Sequence, residues 1–490
     1  MRNNKTKGGM DRRSFGRALG TGALLAPALG ATAATPPRAL KPAGFVKAAF
    51  FYPPTAQLDA EGYYSWPGKT FDAEGHQAEY TKTLRRFAEE LGLRIDIEPA
   101  PVDTPDQLSR FISAVQGESP DGLLLIPFKK SHLEHILKVL DAVRLPSMVF
   151  ATMGVLLNPH VRQLDGYAHA YRVNSFENLD AVRQGLKMIQ TRRRMKDATL
   201  VDITDRSRGE QRVPHLGTRV VTVPLQDFYD LFERTGRTAE VNALARRYLR
   251  EAVQMVEPDE NDVYEAAKCY FVLKQIVERE QADAVMMTCL PGARVDAVMM
   301  DCLPGLQHPH QHVPPCMGFM DLRDEGIPAG CESDLDATLT MMLLQYLFDK
   351  PGFQHNPSSD TEKNLYFGAH CTAPSRMNGP DQPAERYALR SHAEAGWGCV
   401  PQVFFPVGRK VTFAKYHSRE DPPEMVIYSG TLAGCSPNPP CGGCRTNMLI
   451  RLDELADASQ VKSHHLCLCY GEHAAHLRAF CRLAGVTATA

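Results

Sequence analysis

The stretch Gly122-Leu-Leu-Leu-Ile-Pro127 is a continuous apolar run bounded by turn-forming residues, and it decides the fold class. Such a run is typical of a strand that is buried on both faces of a sheet. On either side of it, runs with strand character alternate with runs of helical spacing. The strand runs are 45–51, 93–97 and 147–151, and the helical runs are 78–91, 105–115 and 132–143. This alternation predicts a parallel sheet with helices on both faces.

A second set of alternating elements follows, after which the pattern changes. Helical spacing recurs at 177–191, 239–255, 263–280 and 334–348, and strand character at 198–203, 220–224 and 282–290. Beyond about residue 369, short β-type runs are separated by Pro and Gly, as in a small β-barrel or sandwich. The sequence therefore predicts an α/β fold with two parallel-sheet, Rossmann-like domains at 44–175 and 176–368. A β-rich, barrel-like C-terminal domain is expected at 369–490.

The start of the chain has the features of an export signal. Arg12 and Arg13 precede a mild apolar run, which ends in the small residues Ala31-Thr32-Ala33. The run is shorter than the about 20 residues of a membrane-spanning helix. The paired arginines favour a twin-arginine signal peptide over residues 1–33, with an ordinary basic leader or a chance arginine pair as alternatives. A linker is expected at 34–43, and the mature protein is expected to be periplasmic or extracellular, with no membrane span.

Composition and charge are those of a globular protein. Hydrophobic residues make up 43% of the chain and charged residues 23%, so a sizeable core is available. The expected leader holds six Lys and Arg residues and one Asp, so the rest of the chain has a net charge of about −7, against −2 for the whole. This acidic balance disfavours nucleic acid as a partner.

The 13 cysteines are an odd number, so at least one is outside any disulfide. Most of them stand singly in apolar surroundings, but Cys435, Cys441 and Cys444 lie close together in the sequence. This group is a candidate disulfide, redox pair or metal clip, and the absence of a second Cys-x-x-Cys pair at zinc-ribbon spacing disfavours the metal. A local repeat is also present, in which residues 282–292 recur with few changes at 295–305.

The densest group of polar residues runs from Gly326 to Met377, and further polar segments follow at 390–394 and 463–465. Glu332 and Asp334 stand at a predicted helix start, where acidic residues are often only caps. Further on come Asn356 in a polar segment that is expected to be a shaped loop, and then His370 and His465 next to predicted strands. Carboxylates and histidines placed at such junctions are a plausible oxygen and nitrogen site for a divalent metal.

The order of these motifs resembles the L-fucose/L-arabinose isomerase superfamily, and among its members the exported fucose isomerase-like proteins most. The matching segments are Gly326-Ile-Pro-Ala-Gly-Cys-Glu-Ser-Asp334, Lys350-Pro-Gly-Phe353, Asn356-Pro-Ser-Ser-Asp-Thr361, Ala369-His-Cys-Thr-Ala-Pro374, Arg390-Ser-His-Ala-Glu394, Cys444-Arg-Thr446 and His465 six residues before Gly471. The likeness is specific in the last third of the chain and extends to architecture over residues 44–490.

The resemblance implies a metal-dependent sugar isomerase. In that superfamily a Glu, an Asp and a C-terminal His bind a divalent metal, typically Mn²⁺, and carboxylates move a proton between C1 and C2 of an open-chain sugar through a cis-enediol. By motif, Glu332, Asn356 and His465 take these positions, with Glu332 and Asn356 as the catalytic pair. Candidate sugar contacts are His370, Arg390 and His392. A homo-oligomer, trimer or hexamer, is also implied.

Asn356 departs from the family pattern, which has Asp at this position. Asparagine can ligate through its oxygen but cannot accept a proton at neutral pH. A non-catalytic exported carbohydrate-binding protein on the same fold is therefore the alternative to an aldose–ketose isomerase. A third hypothesis is thiol or other metal chemistry at Cys435, Cys441 and Cys444.

Overall fold

The computed structural model describes residues 44–61, 71–152, 154–176, 178–288, 313–393, 396–437 and 444–490. The expected signal peptide, the 34–43 linker, Cys441 and most of the 282–305 repeat lie outside these ranges. Within them, no helix combines the length and the apolar character that crossing a membrane requires.

The first sheet confirms the predicted parallel arrangement. Its strands are β1 (Phe45–Phe51), β2 (Arg94–Ile97), β3 (Gly122–Pro127), β4 (Ser147–Thr152) and β5 (Ala170–Ser175), in the order β2-β1-β3-β4-β5, and all pairs are parallel. The accompanying helices are α1 (Thr55–Glu61), α2 (Ala73–Leu91), α3 (Pro105–Glu118), α4 (Leu133–Ala142), α5 (Asn158–Gln163) and α6 (Asp180–Asp197).

Helices cover both faces of this sheet, as the continuous apolar run in β3 requires. Every residue of β3 is buried. Leu124 and Ile126 pack with α2 and α6, whereas Leu123 and Leu125 pack with α3 and α4. Successive side chains of a strand point to opposite faces, so an apolar run without alternation fills two cores at once.

The second sheet is also parallel except at one edge. Its strands are β6 (Thr199–Thr204), β7 (Gly209–Arg212), β8 (Arg219–Pro224), β9 (Ala284–Met287) and β10 (Ala329–Cys331), in the order β10-β9-β6-β8-β7. Only β7 is antiparallel to its neighbour, and its four residues are exposed, which explains why the sequence has no apolar signal there. Its helices are α7 (Leu225–Arg234), α8 (Ala239–Glu251), α9 (Glu260–Arg279), α10 (Cys316–Asp324) and α11 (Leu335–Phe348).

The C-terminal region is rich in strands, as predicted. It contains β11 (Phe353–Asp360), β12 (Leu365–His370), β13 (Tyr387–Arg390), β14 (Val400–Val403), β15 (Lys410–His417), β16 (Glu424–Gly434), β17 (Thr446–Leu452), β18 (Leu466–Tyr470) and β19 (Thr487–Thr489), with helix α12 (Ala474–Ala484). Strand pairing runs β15-β18-β11-β12-β17-β16, and β16 pairs again with β15. Strands β13 and β14 form a separate pair.

The expected loop around Asn356 is wrong, because this segment forms β11. Pro357 lacks a backbone N–H and would normally argue against a strand inside a sheet. However, β11 pairs with β18 only over Phe353–His355 and with β12 over Asn356–Asp360. Pro357 therefore has a strand neighbour on one side only. The strand-rich sheet accordingly starts at Phe353. The sequence pattern loses its helical spacing only later, at about residue 369.

The carboxyl ends of three parallel strands lie at one edge of the second sheet. Strands β10, β9 and β6 are adjacent, and they lead directly to Glu332, Thr288 and Asp205. In open parallel sheets, ligands bind at this edge.

Candidate functional site

Glu332, His370 and His465 converge from three separate elements. Glu332 directly follows β10, His370 ends β12, and His465 directly precedes β18. His370 Nε2 lies 3.4 Å from Glu332 Oε1, and His465 Nε2 lies 3.4 Å from Glu332 Oε2. Both imidazoles are buried, whereas the Glu332 side chain is 38% exposed. We call these three residues, together with Asp334, the Glu332 cluster.

Asp334 binds His465 on the side of the imidazole that faces away from Glu332. Its Oδ1 accepts the Ala337 backbone N–H at 2.8 Å and caps α11. Its Oδ2 accepts from His465 Nδ1 at 2.8 Å and from Lys415 Nζ at 2.5 Å. When His465 is neutral, this bond places its proton on Nδ1 and leaves the Nε2 lone pair facing Glu332. A carboxylate behind an imidazole is the arrangement that orients metal-binding histidines.

Opposite charges balance one another in the cluster. Burial alone would lower the pKa of His465, but the hydrogen bonds to Asp334 and Glu332 raise it to about 9. Burial would raise the pKa values of Glu332 and Asp334, but the facing imidazoles and, for Asp334, Lys415 hold both well below their usual range. An imidazolium thus lies between two carboxylates. A cation bound by Glu332 and His465 would release its Nε2 proton.

The backbone of this region is strained. Glu332, Ser333, Ser463 and His465 have φ values of +60°, +48°, +75° and +53°. This left-handed conformation costs a non-glycine residue about 1–3 kcal/mol, and it persists only where the surroundings hold it. Residues held in this way are frequent at functional sites. The two residues that face each other across the site, Glu332 and His465, both belong to this group.

Side chains hold the residues next to Glu332. The Gln354 amide accepts the Cys331 N–H at 2.9 Å and donates to the Cys331 carbonyl at 3.2 Å. Ser333 Oγ donates to the buried Asp202 Oδ1 at 2.8 Å and lies 2.7 Å from Thr288 Oγ1. Burial raises the pKa of Asp202. The positions on both sides of Glu332 are therefore fixed by polar contacts.

Arg323 connects two of the three converging segments. It is one of the largest fully buried side chains, at 1% exposure. Its Nε donates to the Ala329 carbonyl at 2.8 Å, one Nη donates to the same carbonyl, and the other donates to the Thr372 carbonyl. Ala329 begins β10, which leads to Glu332, and Thr372 follows His370 by two residues. Arg323 thus ties the Glu332 segment to the His370 segment.

The hydrogen bond at Nδ1 determines what His370 can do. Its Nδ1 accepts the Cys371 backbone N–H at 3.0 Å, which places the proton of a neutral imidazole on Nε2. Nε2 is buried and, among the described residues, has no hydrogen bond of good geometry, since Glu332 Oε1 is 3.4 Å away. His370 therefore presents an N–H donor beside Glu332. Coordination of a metal through Nε2 would require the other tautomer.

Asn356 lies on β11 on the same face as Gln354, two residues earlier. Among the described residues, its side chain forms no hydrogen bond with Glu332, His370 or His465. Its role as a metal ligand and catalytic residue stays a prediction.

Arg390 has partners that the sequence did not predict. Its Nε and one Nη donate to the two Glu257 carboxylate oxygens at 2.8 and 2.7 Å, and the other Nη donates to Gln402 Oε1 at 2.6 Å. The Arg390 hydrogen bonds lower the pKa of Glu257 to about 2. The guanidinium therefore ties β13 to the segment before α9, and its role as a sugar contact stays a prediction.

His392 and Cys444 both lie against Cys371, next to His370 in the chain. Cys435 has different surroundings, with a hydrogen bond to the Phe405 backbone. Within the part of the chain that the structure describes, neither Cys435 nor Cys444 forms a disulfide. The predicted role of His392 in sugar binding stays a prediction.

Sequence reasoning missed Lys415, Arg323, Gln354 and Asp202, and it took Asp334 for a cap alone. The one signal that could have found Lys415 is its position within the mostly apolar run Val411-Thr-Phe-Ala-Lys-Tyr416 of β15. The second function of Asp334 depends on His465, which is 131 residues away.

No protein-family model matches the chain, and no curated protein matches it.

Proposed function

We propose that this protein is a divalent-metal-dependent aldose–ketose isomerase-like protein of the L-fucose/L-arabinose isomerase superfamily. The substrate is an open-chain sugar, which reacts through a cis-enediol. The observation that carries the proposal is the pairing of Glu332 with His465 across 3.4 Å on strained backbone, with Asp334 behind the imidazole. Two parallel sheets followed by a ring of six paired strands also support two Rossmann-like domains and a barrel-like domain.

The available donor atoms fit a divalent cation. A Glu332 oxygen and His465 Nε2 face each other, and Asn356 is the third ligand that the resemblance implies. Oxygen and imidazole donors suit Mn²⁺. The Cys331 thiol, whose sulfur lies within 4.8 Å of ligand atoms of Glu332 and His370, would favour the softer Zn²⁺. When bound, such a cation supplies Lewis-acid stabilisation of the negative charge that develops on the sugar oxygens.

Glu332 is the proton carrier in this proposal. The two imidazoles keep it ionised, and it is the more exposed of the two carboxylates in the cluster. Asp334 is buried and holds His465 and Lys415, so it positions the histidine and leaves proton transfer to Glu332. A single carboxylate can remove the C2 proton and return it to C1. The His370 Nε2–H donates to a sugar oxygen beside Glu332.

A non-catalytic carbohydrate-binding protein is the second candidate, and Asn356 is the residue that favours it. Asparagine removes one proton acceptor and one negative charge from the site. Both candidates retain the sugar as ligand, a periplasmic or extracellular location by twin-arginine export, and a homo-oligomer.

Replacing Asn356 by Asp separates the two candidates. In the isomerase, Asn356→Asp restores a second carboxylate, and we expect aldose-to-ketose conversion with Mn²⁺ to rise by about tenfold or more, because general base catalysis typically contributes 10²–10⁴-fold. Asn158→Asp, at the exposed start of α5, is the matched control and should leave the conversion rate unchanged. If neither the wild-type protein nor Asn356→Asp converts any aldose, while sugar binding persists, the protein is the binding protein.

A further inference from the structure

We propose that Cys371 and Cys444 are a redox-active dithiol that closes to a disulfide by exchange with a low-molecular-weight disulfide. This pair shares Cys444 with the Cys435, Cys441 and Cys444 group expected from the sequence, but it joins Cys444 to Cys371. It does not depend on the isomerase proposal.

The two cysteines lie at the same end of two neighbouring strands. Strand β12 pairs with β17, and His370 is opposite Thr446. Cys371 follows His370 directly, and Cys444 stands two residues before Thr446, so both lie at the same end of neighbouring strands. The Cys444 thiol hydrogen-bonds the Cys371 sulfur, and both pack in one buried cluster with Cys316 and Val400.

A histidine and an arginine complete the site. The His392 imidazole also hydrogen-bonds the Cys371 sulfur. Arg445, next to Cys444, donates through Nε to the Ser391 carbonyl at 2.8 Å and through an Nη to Ser391 Oγ at 3.0 Å. These bonds hold the segment that carries His392 against the segment that carries Cys444. Neighbouring cationic groups favour the thiolate, which is the reactive form of cysteine.

Exposure assigns different roles to the two sulfurs. Cys371 is 2% exposed, whereas Cys444 is only partly buried. The Cys444 thiolate attacks one sulfur of an external disulfide such as oxidised glutathione, forming a mixed disulfide and releasing one glutathione thiolate. The Cys371 thiolate then attacks the Cys444 sulfur, the Cys371–Cys444 bond forms, and the second glutathione thiolate leaves. The two cysteines are oxidised, one glutathione disulfide is reduced to two thiols, and the two cysteine protons pass to the released thiolates, that of Cys371 by way of His392.

The test is peptide mapping of the full-length protein after equilibration in glutathione buffers of increasing oxidised fraction. We expect a peptide pair joined through Cys371 and Cys444 that appears with oxidation and disappears with dithiothreitol. Cys435→Ser is the matched control and should leave the linked pair intact, whereas Cys444→Ser should abolish it.

If the variants fold poorly, peptide mapping of the wild-type protein alone still tests the proposal. Linkage of Cys444 to Cys441 or Cys435 would overturn the proposal, because it would restore the pairing expected from the sequence. Persistence of both Cys371 and Cys444 as thiols in fully oxidised glutathione, or their protection by tightly bound zinc, would overturn it as well.

Discussion

Glu332→Gln is expected to lower any aldose–ketose isomerase activity by about 10³-fold, because glutamine cannot accept a proton from the sugar carbon. The substitution keeps the size of the side chain and one oxygen, but it removes the negative charge that faces His370 and His465. Mn²⁺ affinity should therefore fall as well. The measurements are initial rates of ketose formation and metal titration of the same preparations.

Glu362→Gln is the matched control, because Glu362 lies exposed in the turn between β11 and β12. It should behave as the wild-type protein in both assays. A folded Glu332→Gln variant whose rate stays within tenfold of the wild-type rate would remove Glu332 from the role of proton carrier.

Arg323→Met is expected to reduce the free energy of unfolding by about 3 kcal/mol or more. Burial lowers the pKa of Arg323 to about 10, so the guanidinium stays charged at neutral pH. It donates three hydrogen bonds to carbonyl oxygens, and a hydrogen bond from a charged donor contributes about 1.5–3 kcal/mol. Methionine leaves the Ala329 and Thr372 carbonyls without these donors.

Urea unfolding followed by circular dichroism measures this effect. Arg110→Met, at an exposed position of α3, is the control and should change the free energy by no more than about 0.5 kcal/mol. Because Arg323 joins the Glu332 and His370 segments, its loss should also weaken Mn²⁺ binding in the absence of denaturant. Equal stability of Arg323→Met and the wild-type protein would show that the buried charge costs as much as its hydrogen bonds contribute.

The parallel sheets could be predicted from the sequence because burial on both faces leaves a local signature. All residues of Gly122–Pro127 are apolar or turn-forming, and the structure buries every one of them. Strand β11 could not be predicted in this way. Its run Asn356-Pro-Ser-Ser-Asp360 is polar and contains a proline. It forms a strand because β12 pairs with Asn356–Asp360, whereas β18 pairs only with Phe353–His355.

The candidate site was predictable only in part for the same reason. Glu332, His370 and His465 stand at ends of elements, where motif and spacing single them out, and the structure brings them together. Asp334 and Arg390 take their roles from distant partners, His465 and Glu257, and no local pattern encodes such pairs. The left-handed backbone of Glu332 and His465 is likewise imposed by the surrounding contacts, since residues other than glycine rarely adopt it, even though histidine does so more often than most.

Mn²⁺ binding by the wild-type protein, His465→Ala and His464→Ala tests the central claim most directly. His464 is exposed and adjacent in the chain, so it controls for the loss of an imidazole outside the cluster. We expect the wild-type protein and His464→Ala to bind about one equivalent, and His465→Ala to bind at least tenfold more weakly. No Mn²⁺ bound to the wild-type protein, or equal affinity in His465→Ala, would contradict a metal site built on Glu332 and His465.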